Sequence, residues 1–342
     1  MRTRPFFAAR IEERLNRMRN HVLRRLGWRE EVVGYAGYGS SEQLRVLARV
    51  VLRPEASDIV DIAERFIRRR GWRNFMSAAA VRATAFVQIG THTIELTTDR
   101  GGYIDVRFKN PGLPPGWQTV RISTAEAPPV EVPVQVIGDD VTFGIVSDID
   151  DTILSTALPR PMLAAWNSFV LTEQARQPVP GMARLYQRLL AEQPDAPVVF
   201  ISTGAWNTYE FLTRFTTRYG FPRGTFLLTD WGPTNTGWFR SGPDHKRTCL
   251  RELARDFPHV RWLLVGDDGQ HDQELYHEFS TLQPGHVRAT AIRELSPAEQ
   301  VLAHGTLTNL PVEYEWTPDV APEVRGADGD VLGTKLNKVL SE

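Results

Sequence analysis

Beyond residue 140, apolar runs at 141–147, 198–202, 225–229, 260–265 and 287–292 alternate with stretches of helical periodicity at 161–175, 181–192, 206–219, 246–256 and 272–282. Strands that alternate with helices call for a parallel sheet covered on both faces. The expectation for residues 139–300 is therefore an α/β fold built on a Rossmann-like parallel sheet.

The stretch before it has another rhythm. From Val32 to Val136, short apolar segments at 44–52, 83–89, 92–97 and 103–108 are punctuated by Gly101-Gly102 and by Pro111, Pro114, Pro115, Pro128, Pro129 and Pro133. These are strand and turn signals, interrupted by a charged helical segment near 57–70. They predict a β-sandwich-like domain over 31–138 with a helical insertion. With 342 residues, 42% of them hydrophobic, the chain has material for two modest cores. Residues 301–342, rich in Pro, Gly and acidic side chains after about 305, read as a C-terminal tail that wraps the body or moves in part.

At the N-terminus, within 1–30, Phe7, Ile11, Leu15, Met18, Val22 and Leu26 recur at spacings of three and four, while Arg10, Arg14, Arg17, Arg24 and Arg25 fill other faces. The result is a basic amphipathic helix over 6–26. Its apolar stripe either packs on the protein's own body or a sister chain, or lies on anionic lipid.

A formal net charge of −1 gives no global electrostatic case for nucleic acid. Cys249, the lone cysteine, cannot form an intramolecular disulfide, which fits a reducing cytoplasm. No run approaches the roughly 18 apolar residues that span a bilayer, and the N-terminus lacks the apolar core of a signal peptide. The expected location is cytoplasmic, soluble or peripheral at a membrane. Basic charge is carried almost wholly by arginine, so the lysines Lys109, Lys246, Lys335 and Lys338 stand out.

Open parallel sheets place ligands beyond the carboxyl ends of their strands. The first run of the α/β region is followed by Ser147-Asp148-Ile149-Asp150-Asp151-Thr152, the second by Ser202-Thr203-Gly204, and the fourth by Gly266-Asp267-Asp268-Gly269-Gln270-His271-Asp272. These residue types suit phosphoryl transfer, which asks mainly for positioning and for neutralisation of oxygens around phosphorus. One carboxylate can attack phosphorus and a second can move the proton of the leaving oxygen and of water. Carboxylates gathered in one crevice need a hard cation among them, and Mg2+ is the natural choice. Ser202 with nearby amides, and Lys246, can hold the remaining phosphate charge.

In that order and at those strand ends, Asp148-x-Asp150-x-Thr152, Ser202, Lys246 and Gly266-Asp267 followed by Asp272 resemble the four-motif signature of the haloacid-dehalogenase superfamily. With Trp206-Asn207, Asp230-Trp231-Gly232 and His245-Lys246, residues 140–295 resemble more narrowly the catalytic domain of the actin-patch phosphatidate phosphatase family. The resemblance implies a haloacid-dehalogenase-like fold with minimal cap and these roles: Asp148 nucleophile and metal ligand, Asp150 general acid and base and metal ligand, Asp267 and Asp272 at the metal, Ser202 and Thr203 at the phosphate, Lys246 steadying both. One departure bears on substrate: where the family commonly reads Ser-x-Ser-Pro-Trp-Asn, this chain reads Ser202-Thr203-Gly204-Ala205-Trp206-Asn207.

The expected activity is Mg2+-dependent hydrolysis of phosphatidate to diacylglycerol and phosphate. The intervals between motifs hold no large independent cap, which leaves room for a bulky lipid headgroup. Two alternatives stand beside it: a phosphatase of a soluble or macromolecular phosphomonoester, and a non-catalytic lipid-binding or scaffold protein. Single motifs have plainer readings. Asp148 and Asp150 alone fit a turn, and Asp268 fits a helix start. His245, His271 and His277 match no zinc spacing. Trp206, Trp231 and Trp238 are either core residues or a rim that meets lipid.

Overall fold

The computed structural model describes residues 7–54, 77–156, 176–229, 242–269, 271–304 and 320–341. The sequence expectations at 57–70 and 161–175, and those for Asp230, Trp231, Gly232, Trp238 and Gln270, lie outside the described residues. Two compact units divide the chain near residue 139.

The first unit opens with α1 (Phe7–Arg25) and continues through strands β1 (Trp28–Gly39), β2 (Gln43–Pro54), β3 (Ala78–Ala79), β4 (Thr84–Ile89), β5 (His92–Thr97), β6 (Tyr103–Lys109), β7 (Gly116–Thr124) and β8 (Val130–Val136). Period-two alternation sends Leu44, Val46, Ala48, Val50 and Leu52 of β2 inward, where they meet Ala85, Val87 and Ile89 of β4, Val120 and Ile122 of β7, and Val132, Val134 and Val136 of β8. The region is rich in strands as expected, but among the described residues it is not a sandwich of two separate sheets. Among the described residues the strands hydrogen-bond into one eight-stranded sheet, ordered β3-β2-β1-β8-β7-β4-β5 with β6 beside β2, which curls over a single core. The link that closes the path is parallel pairing of β1 with β8 from Gly37↔Val134 to Gly39↔Val136.

The described part of the helix meets the sheet through its polar side. Its contact with the sheet runs through partly buried Leu23 and buried Asn20, and Arg24 pairs with Glu30 and Glu126. Leu15, Met18, Val22 and Leu26 point away from this unit, 54–70% exposed. Leu15, Met18, Val22 and Leu26 are thus not what packs on this unit's sheet, and the side chains of Phe7 and Ile11 lie outside those described. Among the described residues, no helix is long and apolar enough to cross a membrane.

In the second unit, β9 (Phe143–Ser147) leads into a small antiparallel pair, β10 (Leu154–Thr156) with β11 (Arg176–Pro178). There follow α2 (Met182–Glu192), β12 (Val198–Ala205), α3 (Tyr209–Arg218), β13 (Thr225–Thr229), α4 (Gly242–Asp256), β14 (Arg261–Asp267), α5 (Asp272–Leu282), β15 (Val287–Arg293), α6 (Pro297–His304), β16 (Glu323–Gly326) and α7 (Gly329–Leu340). The main sheet has six strands in the order β13-β12-β9-β14-β15-β16, every pair parallel. Strand interiors are close to continuous apolar runs because both faces are covered. Ile145, Phe200, Leu263 and Ala289 pack with Met182, Tyr186, Phe215 and Leu336 in one core.

Counted within this sheet, the order is 3-2-1-4-5-6. The sheet first grows to one side of β9 and then to the other, so the reversal falls between β9 and β14, the place where open parallel sheets bind ligands. The expected tail contributes more than a wrapping: residues 323–326 supply the sixth strand, and α7 begins behind an Asp328 side chain that caps the amides of Asp330 and Val331.

Candidate active site

Asp148 leaves β9 at the sheet reversal, and its N–H donates to Val265 O of β14 at 2.8 Å. Consecutive strand residues face opposite sides of a sheet, so Ser147 and Asp148 point apart. Three other charged groups converge on Asp148. Asp267 is the last residue of β14, Asp272 is the first of α5, and Lys246 lies early in α4. Ligand oxygens of Asp148, Asp267 and Asp272 lie within 4.8 Å of one another. The Lys246 ammonium donates to Asp148 Oδ1 at 2.6 Å and also to Asp272 Oδ1. All four side chains are buried.

Three carboxylates and one ammonium leave the cluster short of positive charge in a medium that solvates ions poorly. Burial, reinforced by the neighbouring carboxylates against the pull of Lys246, holds Asp148 and Asp267 well above the ordinary carboxylate range. Burial also works to discharge Lys246, but Asp148 and Asp272 more than offset it and keep the amine charged. Asp148 Oδ2, Asp267 Oδ2 and Asp272 Oδ2 are buried with no protein partner. Hard oxygen donors with unsatisfied lone pairs in one dry cluster fit a hard divalent cation.

The approach of α5 depends on Gly266. A Cβ there would lie 2.7 Å from Asp272 Cβ and 2.8 Å from a ring carbon of Tyr276, so only glycine lets Asp272 come down on β14. Asp267 Oδ1 is fixed by the N–H of Gly269 at 2.7 Å.

Asp150, expected with the metal ligands as well as in proton transfer, stands outside the three-carboxylate group. Its Oδ2 accepts the Ser202 hydroxyl at 3.1 Å, and the Ser202 oxygen accepts the Gly204 N–H at 2.9 Å. Thr203 faces this loop with its backbone: its carbonyl accepts the Thr229 hydroxyl at 2.8 Å, while its methyl lies against the start of α4. The loop after Asp150 turns through Asp151 in the left-handed region, φ 59°, and buried Arg293 donates to the Asp151 carbonyl at 2.7 Å.

Asp268 bonds the Leu295 N–H and pairs with Arg325, away from the cluster. Buried His245 sits against Leu227 O and Cys249, while exposed His271 pairs with Glu274. Sequence reasoning did not single out Tyr186, Tyr276, Arg176 or Arg293. Tyr186 meets Ser147 Oγ at 2.7 Å, and Tyr276 donates to Val265 O at 3.1 Å. Arg176 is buried near Asp150 and Asp151 over the ring of Phe211, and burial brings its guanidinium down to about 10. The one signal that could have found Tyr186 is the polar Ser147 ending a run of buried apolar residues, which needs a polar partner.

The region that carries the acidic motifs is similar to known proteins. Residues 143–294 match the family model described as "Phosphatidate phosphatase APP1, catalytic domain". The chain is 26% identical over 152 residues to phosphatidate phosphatase APP1 of Saccharomyces cerevisiae, covering 44% of this chain and 26% of the yeast protein. Residues 143–294 resemble the APP1 catalytic domain. A second relative, an uncharacterised protein of Schizosaccharomyces pombe, is 24% identical over 166 residues, 48% of this chain and 27% of its own. The chain thus spans about a quarter of the length of the curated relatives it matches. Among solved structures, a carbohydrate acetylesterase from Xanthomonas citri aligns at 9% identity and a TM-score of 0.27, over 78% of this chain and 70% of that one, too low to carry an argument. The APP1 catalytic-domain match begins at the first residue of β9 and ends one residue past β15, so it takes in Asp148, Asp150, Ser202, Lys246, Asp267 and Asp272 and omits β16 and α7.

Proposed function

We propose that this chain is a magnesium-dependent phosphatase of haloacid-dehalogenase type, working through an aspartyl-phosphate on Asp148, with phosphatidate as substrate. The observation that carries it is the meeting of Asp148, Asp267, Asp272 and Lys246 at the sheet reversal between β9 and β14. The 3-2-1-4-5-6 strand order supports a Rossmann-like assignment for the unit.

Asp148, Asp267 and Asp272 are the residues that would hold Mg2+, which when bound supplies charge neutralisation for the carboxylates and the phosphate oxygens. The chain's own groups do the rest. Asp148 attacks phosphorus, the bond from phosphorus to the leaving oxygen breaks, and Asp150 gives that oxygen a proton. Asp150, now a carboxylate, takes a proton from water as its oxygen attacks the aspartyl-phosphate, releasing inorganic phosphate and restoring Asp148. Lys246 holds Asp148 Oδ1 and so limits the rotation of the nucleophile. Ser202 Oγ and the adjacent amides receive phosphate oxygens.

The lipid assignment has two supports: the match to a phosphatidate phosphatase catalytic domain, and the outward stripe of α1. Leu15, Met18, Val22 and Leu26 form an exposed apolar line, and exposed Arg14, Arg19 and Arg25 lie on the same helix. An apolar stripe with arginine beside it suits the surface of an anionic membrane, where phosphatidate itself resides.

The test is phosphate release from an aryl phosphate and from phosphatidate in mixed micelles, with and without Mg2+, by the wild-type chain and Asp148→Asn. Turnover that needs Mg2+ and vanishes in Asp148→Asn is expected. Equal turnover in the variant would sink the mechanism, and a strong preference for sugar phosphates or nucleotides would sink the lipid assignment alone.

A further inference from the structure

Ser147 and Tyr186 make a buried polar contact in the middle of an apolar core, on the sheet face opposite the Asp148 side chain. Both residues are fully buried, and Tyr186 packs edge-on against Phe221 among Ile145, Met182 and Leu185. Ser147 Oγ lies 2.6 Å from the main-chain carbonyl of Asp148 and 2.7 Å from Tyr186 Oη. A carbonyl oxygen can only accept, so the single Ser147 hydroxyl proton is committed to it. The Tyr186 hydroxyl must then be the donor to Ser147. The direction of the relay follows: Tyr186 O–H to Ser147 O–H to the carbonyl of Asp148.

The other peptide flank of Asp148 is held as well. Its N–H donates to Val265 O, which also accepts the Tyr276 hydroxyl. With both flanking amide groups engaged, the Cα of Asp148 is fixed at a strand end, where the chain would otherwise be free to fray. Only side-chain rotation is left for Lys246 to govern.

We propose that Tyr186, acting through Ser147, is a positioning residue that sets the backbone of the Asp148 nucleophile from the far side of the sheet. The inference rests on the phosphatase reading of Asp148. A buried hydroxyl pair is costly where an apolar pair would pack as well, which argues that it is retained for placement of the next residue. Placement matters because misaligning a nucleophile by a fraction of an ångström lowers the rate without weakening substrate binding.

The test uses the full chain with Mg2+ and an aryl phosphate, comparing wild type, Tyr186→Phe, Ser147→Ala and the double variant, with thermal melting of each. Tyr186→Phe deletes one oxygen and keeps the ring. Its kcat is expected to fall about five- to tenfold, as for loss of one neutral hydrogen bond, with KM within about twofold and full folding at assay temperature. Because the relay is serial, the double variant should be no slower than Ser147→Ala. Wild-type kcat in Tyr186→Phe, or a loss that disappears when rates are normalised to the folded fraction, would overturn the proposal. Additive losses in the double variant would overturn it too. Failure of the phosphatase reading would look different: no turnover by the unaltered chain.

Discussion

Ser202 Oγ donates to Asp150 Oδ2 over 3.1 Å. The hydroxyl of Ser202 in β12 and the carboxyl three residues beyond the end of the neighbouring β9 therefore share a hydrogen bond, and each can trade it for an oxygen of a phosphate ester. If so, Ser202→Ala should lower kcat/KM by about ten- to a hundredfold, the scale of a hydrogen bond to a charged group, while Asp150→Asn should lower kcat by about 10²–10⁴ through lost proton transfer. Steady-state kinetics on an aryl phosphate decides both. A leaving group of low pKa should rescue Asp150→Asn in the first chemical step and leave Ser202→Ala unrescued.

Lys246 is the only cation bonded to the Asp148, Asp267 and Asp272 cluster among the described residues. Lys246→Met keeps the length of the side chain and removes its charge, leaving Asp148 and Asp272 without a partner. The expected cost is about 3–5 kcal/mol, typical of breaking a buried ion pair, together with near-complete loss of turnover. Urea denaturation of the variant against wild type measures the first, and unchanged stability would contradict the burial and pairing described above.

The pH dependence of stability follows from the raised carboxyl groups. Asp148 and Asp267 titrate higher in the folded chain than in the unfolded one, chiefly through burial. Their favourable contribution is complete below the ordinary aspartate value of about 4 and is lost as pH rises through the raised values. Lys246, raised above its ordinary value, stays charged throughout that window. Chelated protein should therefore melt at lower temperature at about pH 8 than at about pH 5. Mg2+ at a hundred times its Kd at about pH 8 should restore about 2.7 kcal/mol there, and the same concentration should restore less at about pH 5. Melting curves indifferent to both chelator and pH would remove the metal from this site.

Gly266→Ala tests how closely α5 must dock. The added methyl would meet Asp272 and Tyr276 at distances that real side chains do not tolerate. The variant should fold with the start of α5 displaced, losing Mg2+ affinity and turnover together at a stability cost of about 1–3 kcal/mol. Mg2+ titration by calorimetry reports the affinity, and binding equal to wild type would show that Asp272 is not needed at the ion.

The outward face of α1 makes a separate prediction. Met18→Asp with Val22→Asp should abolish flotation with vesicles containing anionic lipid and leave turnover of a soluble aryl phosphate untouched, since neither residue contributes to the acidic cluster. Flotation that survives both substitutions would assign the stripe to another partner.

What could be read in advance divides along physical lines. Strands β9, β12, β13, β14 and β15 announce themselves because both faces are buried and their interiors are nearly unbroken apolar runs. The helical periodicity at 272–282 coincides with α5, Asp272–Leu282. β1 was illegible because Gly34, Gly37 and Gly39 dilute its alternation, and β8 because Pro133 reads as a turn; the proline is tolerated where β8 has ladder partners on the β7 side alone. β16, only Glu323–Gly326, has a single buried apolar side chain, Val324, and takes its structure from β15. In the site, the acidic residues are visible as types near strand ends, and Lys246 by the scarcity of lysine in the chain. Tyr186 is not, since a tyrosine on the buried stripe of α2 looks like any other packed aromatic until its hydroxyl is seen to reach Ser147.

The sixth strand also sets a limit on how the second unit can be cut. A fragment trimmed to the family match at 143–294 would strip β16 and α7 from β15, baring a row of unpaired amides and carbonyls along Thr290 to Arg293. Such an open edge invites pairing between copies, so the trimmed fragment should precipitate or form fibrils where the longer chain stays dispersed. Carrying residues 320–341 along would be the remedy.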